Sequence, residues 1–255
     1  MSDRYFSSQP IATGRVTLDG PEAHHLLHVM RARAGDAVTL FDGSGAEFAA
    51  VIESLHRTEV ELRIVERRTI DRELPFPLTV GVALPKGDRQ KWLVEKLTEL
   101  GAATLVPLVT ERGVAQPAAA AIERLQRVVI EGAKQCGRNR LMQITQPQVW
   151  KEWIGRHCQP SEQSAIRNPQ SAISNQRRLI AHAAGTPLRE IDPREPVPTH
   201  LAIGPEGGLT DEEVSAAAAA GWQSVNLGPR VLRVETAAVA LAAIISLSHG
   251  TAQIN

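Results

Sequence analysis

A chain of 255 residues, 43% hydrophobic and 22% charged, has the composition of a soluble globular protein and excludes whole-chain disorder. No apolar run reaches the roughly 18–20 residues of a membrane span, the longest being Ala237 to Leu247. With 28 basic and 28 acidic residues the formal net charge is zero, which taken alone argues against a polyanion as the main partner.

The N-terminus lacks the apolar stretch of a signal peptide. Cys136 and Cys158 are too few for a disulfide framework or a four-ligand zinc site. A cytoplasmic protein without metal is expected. The zero charge is also uneven along the chain. Residues 1–75 sum to −3, 76–150 to +4, 151–200 to +2 and 201–255 to −3. On charge alone, solvated helix faces are the plainer reading of such a pattern.

The first 70 residues or so read as a small β-barrel. Short apolar or alternating runs occur at Ala37–Phe41, Glu47–Ile52 and Val60–Val65. Gly35-Asp36 and Asp42-Gly43-Ser44-Gly45 separate them as turns. One helix, Pro21 to Met30, interrupts the start. His24, His25 and His28 lack a fourth partner for a metal and read as surface or packing residues. Charges and two prolines between Arg67 and Pro77 place a domain boundary near residue 72.

Beyond it the pattern becomes strand–helix alternation, hence a parallel α/β sheet. Leu78–Leu84 is a buried strand, Asp88 to Leu100 a helix stopped by Gly101, and Thr104–Val109 another strand. A long helix runs from about Pro117 to Cys136. Strands at Leu179–Ala183, Thr199–Ile203 and Ser224–Leu227 follow, with helices after Thr210 and from about Thr236 to Ser248. Thr210 and Glu213 form a capping box. Between residues 163 and 176 two heptads repeat at five of seven positions. They read as a disordered surface insert near 160–177.

Four turns carry potential chemistry. Leu201-Ala-Ile203-Gly204-Pro205-Glu206-Gly207-Gly208 passes from a strand through glycines into a capped helix. Its free amides suit a carboxylate or phosphate. Leu227-Gly228-Pro229-Arg230-Val231-Leu232-Arg233-Val234-Glu235 crowds charges before an apolar helix. An internal ion pair is the plainer reading there. Both turns end parallel strands, where open α/β sheets bind ligands. Lys86-Gly87-Asp88-Arg89 is a basic turn before a helix, and Gln135 to Arg140 closes the long helix with two arginines. Either suits phosphate, or helix-dipole stabilisation in the second case.

Together these pieces resemble the RsmE family of 16S rRNA uridine-N3 methyltransferases, within the SPOUT superfamily. The resemblance also takes in Arg4-Tyr5-Phe6, His24 to Arg31 and Glu99-Leu100-Gly101. It implies a PUA-like β-barrel over residues 1–72 and a SPOUT α/β trefoil-knot methyltransferase domain over 73–255. It also implies a homodimer, S-adenosylmethionine as cofactor, and 16S rRNA of the small ribosomal subunit as substrate. The cofactor would lie on His182, Leu201, Ile203, Gly204, Pro205, Glu206, Gly207, Leu227, Gly228, Val231, Leu232, Thr236 and Ala237. Arg233, Arg230 and Glu235 are the catalytic candidates, as oxyanion stabilisers or as a base. Arg4, Arg31, Arg33, Lys86, Arg89 and Arg138 would face the RNA.

Three rivals remain. A ribose 2′-O-methyltransferase of the same superfamily usually places a Ser-Leu-Asn turn where this chain has Leu227-Gly228-Pro229-Arg230. A non-catalytic ribosome assembly factor has no need of Gly204, Gly207, Gly208 and Gly228. A dinucleotide oxidoreductase requires a different glycine spacing.

Overall fold

A computed structural model describes residues 4–12, 14–113, 119–156 and 176–249. The chain divides into two compact units, Met1–Glu73 with Ile130–Leu141, and Leu74–Val129 with Met142–Asn255. The heptad repeat lies outside the described residues except for Gln176, as does Cys158.

In the first unit β1 (Arg4–Phe6), β2 (Arg15–Leu18), β3 (Ala37–Phe41), β4 (Ala46–Leu55) and β5 (Val60–Thr69) form one sheet in the order β1-β3-β4-β5-β2. β1 pairs parallel with β3 and the other pairs are antiparallel. β1 and β2 are the two edges, so the PUA-like barrel is open at this seam among the described residues. The Asp42–Gly45 turn connects β3 to β4. Asp42 Oδ1 accepts the Ser44 amide at 3.0 Å, and Oδ2 accepts the Ile11 amide at 2.9 Å. Burial pushes the Asp42 carboxyl up, but these amides and the Ser44 hydroxyl outweigh it and hold the group below its usual range. The core comes from inward-facing Leu40, Phe48, Ala50, Ile52 and Leu62, covered by Leu26. Leu26 sits where α1 (Gly20–His24) passes into a π-helical turn, His25–Val29.

The second unit holds β6 (Leu78–Val82), α2 (Arg89–Glu99), β7 (Thr104–Val109) and the start of α3 (Ala119–Cys136). Short strands β8 (Gln143–Ile144) and β9 (Gln148–Val149) precede α4 (Trp150–Arg156). The chain continues through β10 (Arg177–Pro187), β11 (Thr199–Ile203), α5 (Asp211–Ala219), β12 (Gln223–Asn226) and α6 (Val234–Leu247). The sheet is parallel throughout, in the order β12-β10-β11-β6-β7-β8, with β9 also on β7. β11 enters between β6 and β10 after both flanks are built. Val106, Ile180, Ala202, Trp153 and Trp222 pack in one core cluster, the two indoles 5.0 Å apart. Gly81 in β6 is a point of close approach, because a Cβ there would lie 2.6 Å from the Trp153 ring.

The capping box forms as the sequence predicts. Thr210 Oγ1 accepts the Glu213 amide at 3.2 Å, and Glu213 Oε2 accepts the Thr210 amide at 2.9 Å. Glu213 Oε1 also accepts the Glu111 amide, tying the chain after β7 to α5. No helix among the described residues is long and apolar enough to cross a membrane.

Candidate active site

The C-terminal ends of three neighbouring parallel strands, β12, β10 and β11, enclose a cavity of about 330 Å³. This is the switch-point geometry at which open parallel sheets hold ligands. Its size lies at the lower end of the roughly 300–1,000 Å³ range of small-molecule sites.

The loop after β11 makes one wall. Gly208 N–H donates to the Pro205 carbonyl at 2.8 Å, closing a tight turn that Gly208 enters at φ +73°. Gly204 permits close approach, since a Cβ there would meet Leu209 Cγ at 2.8 Å. Arg112 Nη1 donates to the Gly207 carbonyl at 3.1 Å and fastens the loop from outside.

The loop after β12 makes the second wall, through Leu227, Gly228, Pro229, Arg230, Val231 and Leu232. Gly228 takes φ +113°, a conformation L side chains rarely adopt. Its amide donates to Asn226 Oδ1 at 2.7 Å, while Asn226 Nδ2 donates to the Ala183 carbonyl. Asn226 therefore joins this loop to the third wall, an irregular stretch of β10. There the pairing with β12 shifts register between Ala181 and Thr186, and the displaced residues bring His182 and Ala183 into the cavity. Gly185 is required beside them, because a Cβ would lie 2.5 Å from Val225 N.

Of the residues expected at a cofactor, His182, Ile203, Gly204, Pro205, Glu206, Leu227, Gly228, Val231, Leu232 and Ala237 line this cavity. Leu201, Gly207 and Thr236 do not. Leu201 is fully buried within β11, Gly207 faces Arg112, and Thr236 is exposed on α6. Asn226, Leu209 and Ala183 line the cavity and were not anticipated. An Asn two residues before a glycine is a turn signal that points to the first of them.

The charged groups divide. Glu235 is buried in the first turn of α6, where Arg89 Nη1 lies 3.4 Å from its Oε2. Arg89 Nη2 donates to Glu206 Oε1 at 3.0 Å. Arg89 thus bridges the glycine loop to α6, an internal ion pair rather than a free phosphate contact. Arg230 and Arg233 are exposed, and neither has a carboxylate partner among the described residues.

Within the first unit, two expected RNA contacts are buried instead. Arg4 Nη1 donates to Glu47 Oε2 at 2.8 Å, and its Nη2 donates to Asn139 Oδ1 at 2.6 Å. Arg138 Nε donates to Glu73 Oε1 at 3.0 Å. With their guanidinium groups enclosed, neither presents itself to a phosphate. Arg31 and Arg33 are exposed, as is Lys86 in the second unit. No group of three His, Cys, Asp or Glu residues that could hold a metal occurs among the described residues.

The comparisons agree with this geometry. Residues 72–246 match an RNA methyltransferase domain, and residues 18–65 match an RNA methyltransferase PUA domain. The ribosomal RNA small subunit methyltransferase E of Synechocystis sp. is 35% identical, over 94% of this chain and 75% of its own length. That of Bacillus subtilis is 32% identical, over 92% and 90%. A crystal structure of the Neisseria gonorrhoeae protein of the same name, bound to S-adenosyl methionine, is 30% identical with a TM-score of 0.83, covering 97% of this chain and 98% of that one. A parallel sheet with its cavity at the switch point, an N-terminal PUA-like sheet and these matches along nearly the whole length lead to one assignment: the chain is an RNA methyltransferase and belongs to the ribosomal RNA small subunit methyltransferase E family.

Proposed function

We propose that this protein transfers a methyl group from S-adenosylmethionine to N3 of a uridine in 16S rRNA of the small ribosomal subunit, as a cytoplasmic homodimer. Residues 1–72 serve as the RNA-binding domain and residues 73–255 as the methyltransferase domain. The observation that carries the reading is the cavity walled by three strand-end loops.

The cavity suits this cofactor chemically. Ile203, Leu209 and Leu232 offer apolar surface to an adenine ring, and the turn amides offer donors to a carboxylate. When bound, the cofactor supplies an activated methyl group on a cationic sulfur. The protein's part is to position the uracil N3 in line with that methyl, which supplies much of the rate.

N3 must also lose its proton. Glu235 already engages Arg89, whereas Arg230 and Arg233 are exposed and have no acidic partner among the described residues. This difference favours release of the N3 proton to solvent water, with arginine stabilising the negative uracil oxygens, over a carboxylate base. Arg89 is then a positioning residue that holds Glu235 and Glu206 in place. Arg31 and Arg33 of the first unit and Lys86 of the second meet the RNA backbone, and Arg4 and Arg138 brace the first unit internally.

The test is methylation of small ribosomal subunits in vitro, with mass mapping of the 16S rRNA. N3-methyluridine at a single site is the expected product. A ribose-methylated product, or cofactor binding without transfer, overturns the reading.

A further inference from the structure

We propose that Arg112 holds a backbone phosphate of the substrate RNA while it braces the glycine loop of the cofactor cavity, so that RNA and S-adenosylmethionine bind cooperatively. The inference deepens the proposed function and rests on it.

The placement begins in the sequence. Thr110-Glu111-Arg112-Gly113 follows β7 as a four-residue turn with glycine at its last position. Gly113 N–H donates to the Thr110 carbonyl at 3.1 Å, and a Cβ on Gly113 would lie 2.7 Å from Thr110 Oγ1. Thr110 is buried, which gives the turn a fixed base. The Glu111 amide is a second anchor, donating to Glu213 Oε1 at 2.9 Å. Glu213 is also the capping-box residue of α5, the helix into which the glycine loop runs. One carboxylate therefore ties the turn to the loop.

Arg112 is exposed on this turn. β7 and β11 both pair parallel with β6, so the turn and the glycine loop leave the sheet at the same edge, where the cavity lies. Arg112 Nη1 donates to the Gly207 carbonyl at 3.1 Å. Gly207 stands between Glu206 and Gly208, which line the cavity, and itself faces Arg112. The arginine thus touches the cofactor loop without occupying the cavity.

Its remaining nitrogens point to the partner. Nε and Nη2 form the other edge of the planar fork and make no hydrogen bond or ion pair among the described residues. The acids of the adjoining loop and cap are already engaged: Glu206 pairs with Arg89, and both oxygens of Glu213 accept amides. Two parallel donors on an exposed, permanently charged group match two oxygens of a phosphate. The bond to Gly207 uses the opposite nitrogen, so both contacts form at once. A phosphate that fixes the guanidinium lowers the ordering cost of its bond to Gly207 and steadies the cofactor loop. Such coupling is reciprocal, so the cofactor favours RNA binding by the same factor.

The experiment measures the dissociation constant of S-adenosylhomocysteine, which has no methyl group to transfer, for the full chain alone and with saturating unmethylated small ribosomal subunits. The unaltered protein is expected to bind it about fivefold tighter with subunits present, the lower end of ordinary couplings. In Arg112→Ala this ratio falls to about one, and the salt slope of subunit binding falls by about 1. A merely structural brace weakens binding equally with and without subunits and leaves the ratio standing. Arg112→Lys keeps the charge but not the second edge, so it loses the ratio while keeping most of the salt slope. Thermal melting confirms that each variant is folded. A ratio near one in the unaltered protein, a ratio that survives either substitution, or an unchanged slope in Arg112→Ala overturns the proposal. Methyl transfer by the unaltered protein to the same subunits is assayed alongside. Its absence overturns the proposed function, whereas transfer with a ratio near one overturns the role of Arg112 alone.

Discussion

Arg4 and Arg138 are enclosed against Glu47 and Glu73, whereas Arg230, which lines the cavity, and Arg233 are exposed and form no ion pair among the described residues. All four sit in turn- or end-like sequence contexts rich in charge. The contrast teaches that a count of arginines says little about which of them meet a ligand. In the first unit the charges neutralise one another and hold the fold. In the second unit the loop after β12 leaves its charges open to a substrate.

The largest effect should come from breaking the buried side of the contrast. Glu47→Ala strands the Arg4 guanidinium and should cost about 3–5 kcal/mol, read as a lowered midpoint in denaturant. A loss under about 1 kcal/mol, the worth of a surface pair, would mean that Arg4 is effectively solvated.

The same pair predicts a pH dependence. Burial pushes the Glu47 carboxyl up, but hydrogen bonds from Arg4 and Arg72 outweigh it and hold its pKa below the usual value of 4.5. The stabilisation is therefore present above that value and is lost as pH falls through the lowered folded pKa. Acid unfolding curves of the unaltered protein should steepen there, and those of Glu47→Gln should flatten.

On the exposed side, Arg233→Ala should lower kcat roughly 10²–10³-fold, the range for one lost oxyanion donor. Calorimetry should find cofactor affinity little changed. Equal turnover in Arg233→Ala and in Glu235→Gln would dismiss both as catalytic groups.

A smaller effect is expected from Gly204→Ala. Its Cβ displaces Leu209 from the cavity wall, at about 1–3 kcal/mol for overpacking, so the dissociation constant of S-adenosylmethionine should rise without loss of RNA binding. The smallest effect sharpens the comparison most directly. Lys86→Ala should reduce the salt slope of RNA binding by about 1. Arg138→Lys, altering a buried partner of Glu73, should leave that slope alone and lower stability.

Long elements were legible because their periodicity is local. Leu78–Leu84 reads as a buried strand, of which β6 covers Leu78–Val82, the Thr210–Glu213 cap reads as a helix start, and the glycine turns as strand ends. β1, β2, β8 and β9 were not legible. At two to four residues each, they are too short to display a period and exist through their partner strands. The site divides in the same way. The turns at 204–208 and 227–232 announce themselves through glycine and proline. Asn226 as a bridge, and the register shift that brings His182 to the cavity, depend on how β10 lies against β12.

By itself the sequence determined the order of the longer strands and helices, the two families of turns and the resemblance that joins them. Those properties arise from neighbours a few residues apart, or from a pattern along the whole chain. Only the tertiary structure decided which charges are available. Arg4 finds Glu47 across 43 positions and Asn139 across 135, and Arg89 finds Glu235 across 146. Whether a guanidinium is solvated or enclosed depends on distant groups that folding brings within about 3 Å, a separation that no local pattern encodes.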